Sequence, residues 1–203
     1  MRIYACSSNA GKLRELLSAA REAGLPQLTI EPLPGLRDIP PPEENGATFE
    51  ENAVAKALYY SRLTPEIVLA DDSGLEVDAL HGAPGVHSAR YAGPGATDED
   101  NNNLLLRDLG TETGREARFI CVLALAQTGD LLTTARGAVE GTILAAPRGG
   151  GGFGYDPLFF YPPFERSFGE LTPEEKFSVS HRGHALRALF SRLPDLLKPR
   201  LSA

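Results

Sequence analysis

Some stretches of this chain place their apolar residues at helical spacing, and other stretches alternate apolar and polar residues as strands do. A first helix is predicted behind Asn9, a residue type that caps helix starts. Its apolar positions at helical spacing are Leu13, Leu16, Leu17 and Ala20, and Gly24 is predicted to end it. Residues 116–126 and 131–143 predict two strands joined by a Thr-Gly-Asp turn, which is typical of a hairpin. The other predicted elements are strands at 2–6, 28–33, 67–70, 75–79 and 158–161, and helices at about 48–63, 97–109, from 172 and at 181–193. This order indicates an α/β fold with a mixed sheet.

Two adjacent acids, Asp71 and Asp72, follow the short apolar run at 67–70 and precede Ser73 and Gly74. Acids at the exit of a buried strand lie where open α/β sheets place their ligand sites. Neighbouring carboxylates repel each other, and a divalent cation such as Mg²⁺ would relieve that repulsion. Because successive strand residues face opposite ways, we expect one acid to face a cleft and the other to support the loop. The alternative is a turn in which Asp and Ser bond the local backbone.

The segment at residues 7–12 joins the first strand to the first helix. Free backbone N–H groups at a helix start, together with Lys12, suit a polyphosphate. The segment is not a Walker A loop, because Leu13 stands where Ser or Thr would hold Mg²⁺. The alternative interpretation is that Asn9 is only a helix cap.

Three further segments carry candidate binding groups. Glycines at 149–154 would let the backbone approach a ligand, and Phe153 or Tyr155 could stack on a base, although both rings could instead fill the core. Basic residues near 176–182 could meet a phosphate or a base carbonyl, the alternative being a solvated helix face. Glu44 becomes a metal ligand only if it shares a cation with Asp72. Otherwise it is a favourable partner of a helix dipole.

Composition narrows the class of protein. The chain has 203 residues and a net charge of −7, which argues against a general nucleic-acid binder. No apolar run approaches the length of a membrane span, and the start of the chain does not resemble a signal peptide. Cys6 and Cys121 fall in predicted strands without a CxxC pattern, which favours buried thiols and a cytoplasmic location. We expect a single domain over residues 1–203.

Six ordered motifs together resemble the inosine triphosphate pyrophosphatase family, also called Ham1-like or XTP/dITP diphosphatases. They are SSNAGK at 7–12, an acid–glycine segment that runs into FEENA at 44–53, ADDSGL at 70–75, GAPGVHSARY at 82–91, GGFGYDP at 151–157, and EKFSVSHRG at 175–183. The match covers nearly the whole chain. Two positions depart from the family pattern, Ser8 where many members have glycine, and Gly150 where threonine is frequent.

The resemblance implies hydrolysis of ITP, dITP and XTP to the monophosphate and pyrophosphate, which cleans the nucleotide pool. It implies a mixed, elongated central sheet flanked by helices, with two lobes around a deep cleft, and it implies a homodimer that requires Mg²⁺. Carried over by position, Asp72 would be the proton acceptor, and Glu44 and Asp72 would bind the metal. The substrate-binding residues would be Ser7, Ser8, Asn9, Ala10, Gly11, Lys12, Lys56, Ser73, Phe153, Gly154, Tyr155, Asp156, Lys176, His181 and Arg182.

Two other functions fit the same residues. One is a house-cleaning pyrophosphatase for modified pyrimidine or standard deoxynucleoside triphosphates. The other is a non-catalytic nucleotide sensor, which would explain the glycine and lysine segments but not the acids. We expect neither a nucleic-acid nor a membrane partner.

Overall fold

The computed structural model describes residues 2–7, 9–22 and 28–193. Its strands are β1 (Arg2–Ala5), β2 (Thr29–Pro32), β3 (Ile67–Val77), β4 (Glu116–Gln127), β5 (Asp130–Ile143), β6 (Phe159–Tyr161) and β7 (Arg166–Ser167). Its helices are α1 (Ala10–Glu22), α2 (Phe49–Ser61), α3 (Asp98–Leu109), α4 (Pro173–Val179) and α5 (His181–Phe190). Within the described residues the strands form one sheet in the order β2-β1-β3-β4-β5-β6-β7. The predicted mixed α/β sheet is confirmed, and none of the described helices is both long and apolar enough to span a bilayer.

The sheet changes direction at β3, and this change makes room for a site. β1 runs parallel to both β2 and β3, whereas the pairs from β3 to β7 are antiparallel. The β1–β3 ladder stops at Ala5 and Leu69, but β4 pairs with β3 as far as Val77. One edge of β3 beyond Leu69 is therefore left to loops and helix starts that approach from the end of β1.

β3 is one continuous strand of 11 residues that carries both acids in its middle. The prediction of two strands separated by a turn is wrong, and so is the turn alternative for Asp71 and Asp72. Asp71 pairs with Leu123 and Asp72 with Val122 across the ladder to β4. This neighbouring strand supplies backbone hydrogen bonds whatever the local propensity of Asp, Ser and Gly, so tertiary pairing overrides the sequence signal.

Helices cover both faces of the sheet. α1 and α5 pack on one face, where Leu16 and Leu186 meet Leu69, and α2 packs on the other, where Ala53 meets Val68. A third cluster surrounds Phe119 on the side of β6. The cysteines at positions 6 and 121 are buried and free, as predicted.

Most predicted elements are confirmed to within a few residues. The hairpin between β4 and β5 turns through Thr128 and Gly129, both with positive φ. α1 runs to Glu22, and the Gly24 that was predicted to end this helix lies outside the described residues. The two-residue strand β7 was not predicted, since so short a segment shows no alternation.

Candidate functional site

Asp71 and Asp72 lie on opposite faces of β3. Side chains alternate along a strand, so Asp71 follows Leu69 toward α1 and α5, whereas Asp72 follows Ala70 toward α2. Asp72 lines the central cavity, and Asp71 is not among the described residues of its lining. The expectation that a shared cation relieves repulsion between these two acids is wrong, because each carboxylate has its own basic partner.

On the α2 face, one ammonium group bridges two carboxylates. Lys56 Nζ lies 3.1 Å from Asp72 Oδ1 and 3.1 Å from Glu44 Oε1. Burial raises the pKa of Asp72, and the opposing charges of Lys56 and Lys12 do not cancel that effect. Burial acts on Glu44 as well, but Lys56 and Arg90 hold its pKa below the ordinary range. Glu44 and Asp72 thus face the same cation, and the Asp72 carboxylate is the one whose proton affinity is increased.

On the opposite face, Asp71 anchors two basic side chains. Its Oδ2 lies 3.1 Å from Lys12 Nζ and 3.3 Å from Arg182 Nη2. The same Arg182 nitrogen donates to Ser73 Oγ at 2.9 Å. Burial alone would raise the pKa of Asp71, but Lys12 and Arg182 hold it well below its usual range. Asp71 is therefore a fixed negative charge that orients cations rather than a group that exchanges protons.

The turn between β1 and α1 brings Lys12 to the cavity. Asn9 Oδ1 accepts from Lys12 N at 3.0 Å, so Asn9 caps α1, and Asn9 N donates to Ser7 Oγ at 3.3 Å. A Cβ on Gly11 would lie 2.6 Å from Phe153 Cδ1, so only glycine allows this close packing. Ala10 begins α1. Ser8 lies outside the described residues.

The glycine-rich loop is folded by Asp156. Its Oδ2 accepts from Phe153 N at 2.8 Å and from Lys176 Nζ at 2.6 Å. Lys176 Nζ also lies 4.3 Å from the centroid of the half-buried Phe153 ring. Tyr155 is buried and donates its hydroxyl to Ser88 O at 2.8 Å, so this ring does fill the core. Phe153 is consequently the ring of this loop that remains a candidate for stacking on a base.

The basic residues on α4 and at the start of α5 are buried, and the alternative of a solvated helix face is wrong. Lys176 and His181 are each 5% exposed and Arg182 is 0% exposed. Glu15 on α1 compensates for this charge, since its carboxylate lies 3.0 Å from Lys176 Nζ and also pairs with Arg182. The His181 ring stacks on Phe119, with centroids 4.8 Å apart. Burial, reinforced by Arg182 and Lys176, lowers the pKa of His181 well below its ordinary value, so the ring is neutral.

One cavity of about 160 Å³ collects most of the predicted site residues. Those that line it are Asn9, Lys12, Glu44, Lys56, Asp72, Ser73, Phe153, Gly154, Tyr155, Asp156, Lys176, His181 and Arg182. Among the described residues, Ser7 and Gly11 do not belong to this lining. Within the same described residues, His181 Nδ1 and Arg182 Nε are buried without a hydrogen-bond partner. The cavity is thus lined both by the carboxylates of Glu44 and Asp72 and by the buried nitrogen groups of His181 and Arg182.

The donor set of Glu44 and Asp72 fits a magnesium ion. Glu44 and Asp72 direct oxygens at one point, now held by Lys56 Nζ, and no group of three or more His, Cys, Asp or Glu that suits a metal occurs in the described ranges. Mg²⁺ needs only one or two protein carboxylates when waters and substrate phosphates complete its coordination. Glu44 and Asp72 therefore suffice for a metal whose other ligands are waters and, when a phosphorylated ligand is bound, phosphate oxygens.

Several residues of the site were not predicted from the sequence. Glu15 pairs with Lys176 and Arg182, and Arg90 lies 3.3 Å from Glu44 Oε2. Asp98 and Asn102 on α3 hold both backbone groups of Gly154, at 2.6 Å and 3.0 Å. A helical spacing of three from Lys12 points to Glu15, but no local signal reveals the other contacts, because their partners are distant in sequence.

The sequence and the fold both have relatives. A model of the Ham1 family matches residues 3–192. The chain belongs to the Ham1 family. A dITP/XTP pyrophosphatase from an Exiguobacterium species is 48% identical over 98% of this chain and 100% of the relative. One from Acidobacterium capsulatum is 50% identical over 95% of this chain and 98% of the relative.

Solved structures of Ham1 proteins have the same architecture. The Staphylococcus aureus Ham1 protein superposes with a TM-score of 0.85 at 37% identity, covering 96% of this chain and 99% of that one. A Ham1 protein from Coxiella burnetii gives a TM-score of 0.86 at 40% identity, with 96% and 99% covered. The resemblance inferred from the six motifs is thereby confirmed, as is the Ham1-type mixed sheet.

Proposed function

We propose that this Ham1 chain hydrolyses noncanonical purine nucleoside triphosphates, namely dITP, XTP and ITP, to the monophosphate and pyrophosphate. The observation that carries the proposal is a single cavity lined both by the Glu44–Lys56–Asp72 cluster and by buried Lys176, His181 and Arg182. The named relatives support it, because they share about half of the sequence over nearly full length and are called dITP/XTP pyrophosphatases.

The triphosphate would lie beside Glu44 and Asp72. Lys12 and Lys56 line the same cavity, where Lys56 now bridges Glu44 and Asp72 and Lys12 pairs with Asp71. Mg²⁺, held by Glu44 and Asp72, would neutralise phosphate charge and stabilise the departing pyrophosphate. Asn9 caps α1 and therefore lies at the N-terminus of that helix, where the positive end of the helix dipole favours anions.

Asp72 would orient and deprotonate the attacking water. A general base works best when its pKa approaches the working pH, and burial shifts the pKa of Asp72 in that direction. Asp71 is unsuited to the task because Lys12 and Arg182 stabilise its charged form. The two neighbouring acids therefore have separate roles in the proposal, one reactive and one supporting.

Lys176, His181 and Arg182 would recognise the base. Buried donors on Arg182 and Lys176 suit the 6-oxo group that inosine and xanthine share, while the 6-amino group of adenine would leave donor facing donor. An unpaired buried polar group costs about 1–3 kcal/mol. Phe153 would stack on the base, and Asp156 with Lys176 would hold that ring in place.

The test is pyrophosphate release from a nucleotide panel with and without Mg²⁺. We expect turnover of ITP, dITP and XTP, and little turnover of ATP, dUTP and dTTP. GTP shares the 6-oxo group, so its rejection would require a clash at the 2-amino group of guanine. Asp72→Asn should lower kcat by about 10²–10⁴-fold, the usual contribution of a general base. Asp78→Asn, an exposed carboxylate just beyond β3 and outside the cavity lining, is the matched control and should keep its activity.

Other results would favour the alternatives. Tight ITP binding without turnover would indicate a sensor, and preferential turnover of pyrimidine or standard deoxynucleotides would indicate the related house-cleaning enzyme. Normal turnover by Asp72→Asn would remove Asp72 from the catalytic role. The two lobes, the homodimer, the cytoplasmic location and the absence of a nucleic-acid partner stay predictions.

A further inference from the structure

Asn52 joins the strand that carries Asp72 to the loop that carries Glu44. It is 2% exposed and lies on α2, four residues before Lys56. Its Nδ2 donates to Asp72 Oδ2 at 3.1 Å, and its Oδ1 accepts from Gly46 N at 2.8 Å. Both polar atoms of this buried amide are thus hydrogen-bonded, one to the Asp72 carboxylate and the other to the loop that carries Glu44.

The loop is shaped for this contact. A Cβ on Gly46 would lie 2.7 Å from Asn52 Oδ1 and 2.8 Å from Glu51 Cβ, so only glycine lets the loop approach α2 this closely. Glu44, two residues earlier, is held from the other side by Arg90, which lies 3.3 Å from its Oε2 and 3.4 Å from its backbone oxygen. The loop therefore reaches the cavity with a defined geometry, although residues 40–46 have no regular secondary structure.

The chemistry of an amide suits this position. Asn52 occupies Asp72 Oδ2 and leaves Oδ1 turned toward Lys56 and Glu44. A lysine at this place would neutralise the carboxylate, whereas a neutral donor orients it and leaves its charge available to a cation. Groups behind the metal-binding carboxylates commonly set ligand orientation in this way.

We propose that Asn52 is a positioning residue that sets the distance and orientation between Glu44 and Asp72. It touches neither the metal nor the substrate and acts through these two carboxylates. The inference rests on the proposed function only in treating the pair as the metal-binding group.

The test compares Mn²⁺ binding and Mg²⁺ dependence in the wild type and Asn52→Leu, which has similar volume but no polar atoms. Mn²⁺ binding to the free protein is measured by electron paramagnetic resonance, which needs no substrate. We expect binding to weaken by about 10–100-fold, and the Mg²⁺ concentration for half-maximal ITP turnover to rise by a similar factor. Gly46→Ala keeps Asn52 but displaces the loop, so we expect a shift in the same direction, and it carries the test if Asn52→Leu does not fold.

Ser61→Ala separates positioning from stability. Ser61 is equally buried on α2, where it donates to Leu58 O and accepts from Gly129 N, outside the cavity lining. We expect Ser61→Ala to lower the melting temperature with unchanged Mn²⁺ binding. Unchanged Mn²⁺ binding in Asn52→Leu and Gly46→Ala, or no Mn²⁺ binding by the wild type, would overturn the inference. If the wild type turns over none of the nucleotides, the proposed function fails while the Mn²⁺ comparison still decides the role of Asn52.

Discussion

Because His181 is buried and neutral, we can predict quantitatively how the free energy of unfolding depends on pH. The folded protein keeps this ring uncharged, because its pKa lies well below the ordinary value of 6.5 through burial and the nearby charges of Arg182 and Lys176. The unfolded chain takes up a proton at the ordinary pKa. The unfolded state therefore binds more protons in acid, and this residue lowers the free energy of unfolding as the pH falls below 6.5.

The magnitude follows from proton linkage. If the folded ring stays neutral throughout, lowering the pH from about 7 to about 5.5 should reduce the free energy of unfolding by about 1.3 kcal/mol through this one residue. Protonation of the folded ring is further opposed because His181 Nδ1 has no hydrogen-bond partner within the described residues.

The assay is urea unfolding at the two pH values for the wild type and His181→Gln. The basic groups that face the ring, on Arg182, Lys176, Lys12 and His184, are present in both proteins, so the difference of differences isolates His181. We expect the wild type to lose about 1.3 kcal/mol more than the variant on acidification. Equal losses in the two proteins would show that the folded ring accepts a proton, and the account of a neutral His181 would be wrong.

Two further substitutions test the cavity and the sheet. Lys12→Ala removes the ammonium 3.1 Å from Asp71 Oδ2, and kcat/KM for ITP should fall about tenfold or more, because a charge-assisted contact contributes about 1.5–3 kcal/mol. An unchanged kcat/KM would remove Lys12 from the phosphate site. Gly74→Ala would place a Cβ 2.6 Å from Gly85 O. Overpacking should then lower the free energy of unfolding by about 1–3 kcal/mol, which thermal melts would measure. Gly150→Ala, where a Cβ meets nothing within 4 Å, is the control, and equal melting of the two variants would refute the packing account.

The sequence predicted the elements well where one local signal was sufficient. Asn9 caps α1 as its residue type suggests, and the Thr-Gly-Asp turn joins β4 to β5 as a hairpin. It did not predict the continuity of β3, because Asp, Ser and Gly disfavour strands when considered alone. The pairing with β4, distant in sequence, supplies the missing stabilisation.

The candidate site shows the same division between local and distant information. Residue types identified the acids, the lysines and the glycine-rich loop, since their chemistry is visible in the letters. Burial of Arg182 was not predictable in this way, because a single arginine on a helix is usually solvated. Its burial depends on Glu15 and Asp71, which lie on α1 and β3 and meet Arg182 only after folding.

The alternation of β3 explains how two adjacent acids can share one site without sharing a role. If both faced the cavity, their repulsion would raise the proton affinity of one of them in an uncontrolled way. On opposite faces, Asp71 is fixed by Lys12 and Arg182, while Asp72 is oriented by Asn52 and faces Lys56. The carboxylate that shares the Lys56 ammonium group with Asp72 is therefore Glu44, which lies 28 residues earlier in the chain, and not its neighbour. Insertion of one residue into β3 before Asp71 would exchange the two faces, and no redistribution of charge elsewhere could restore the arrangement.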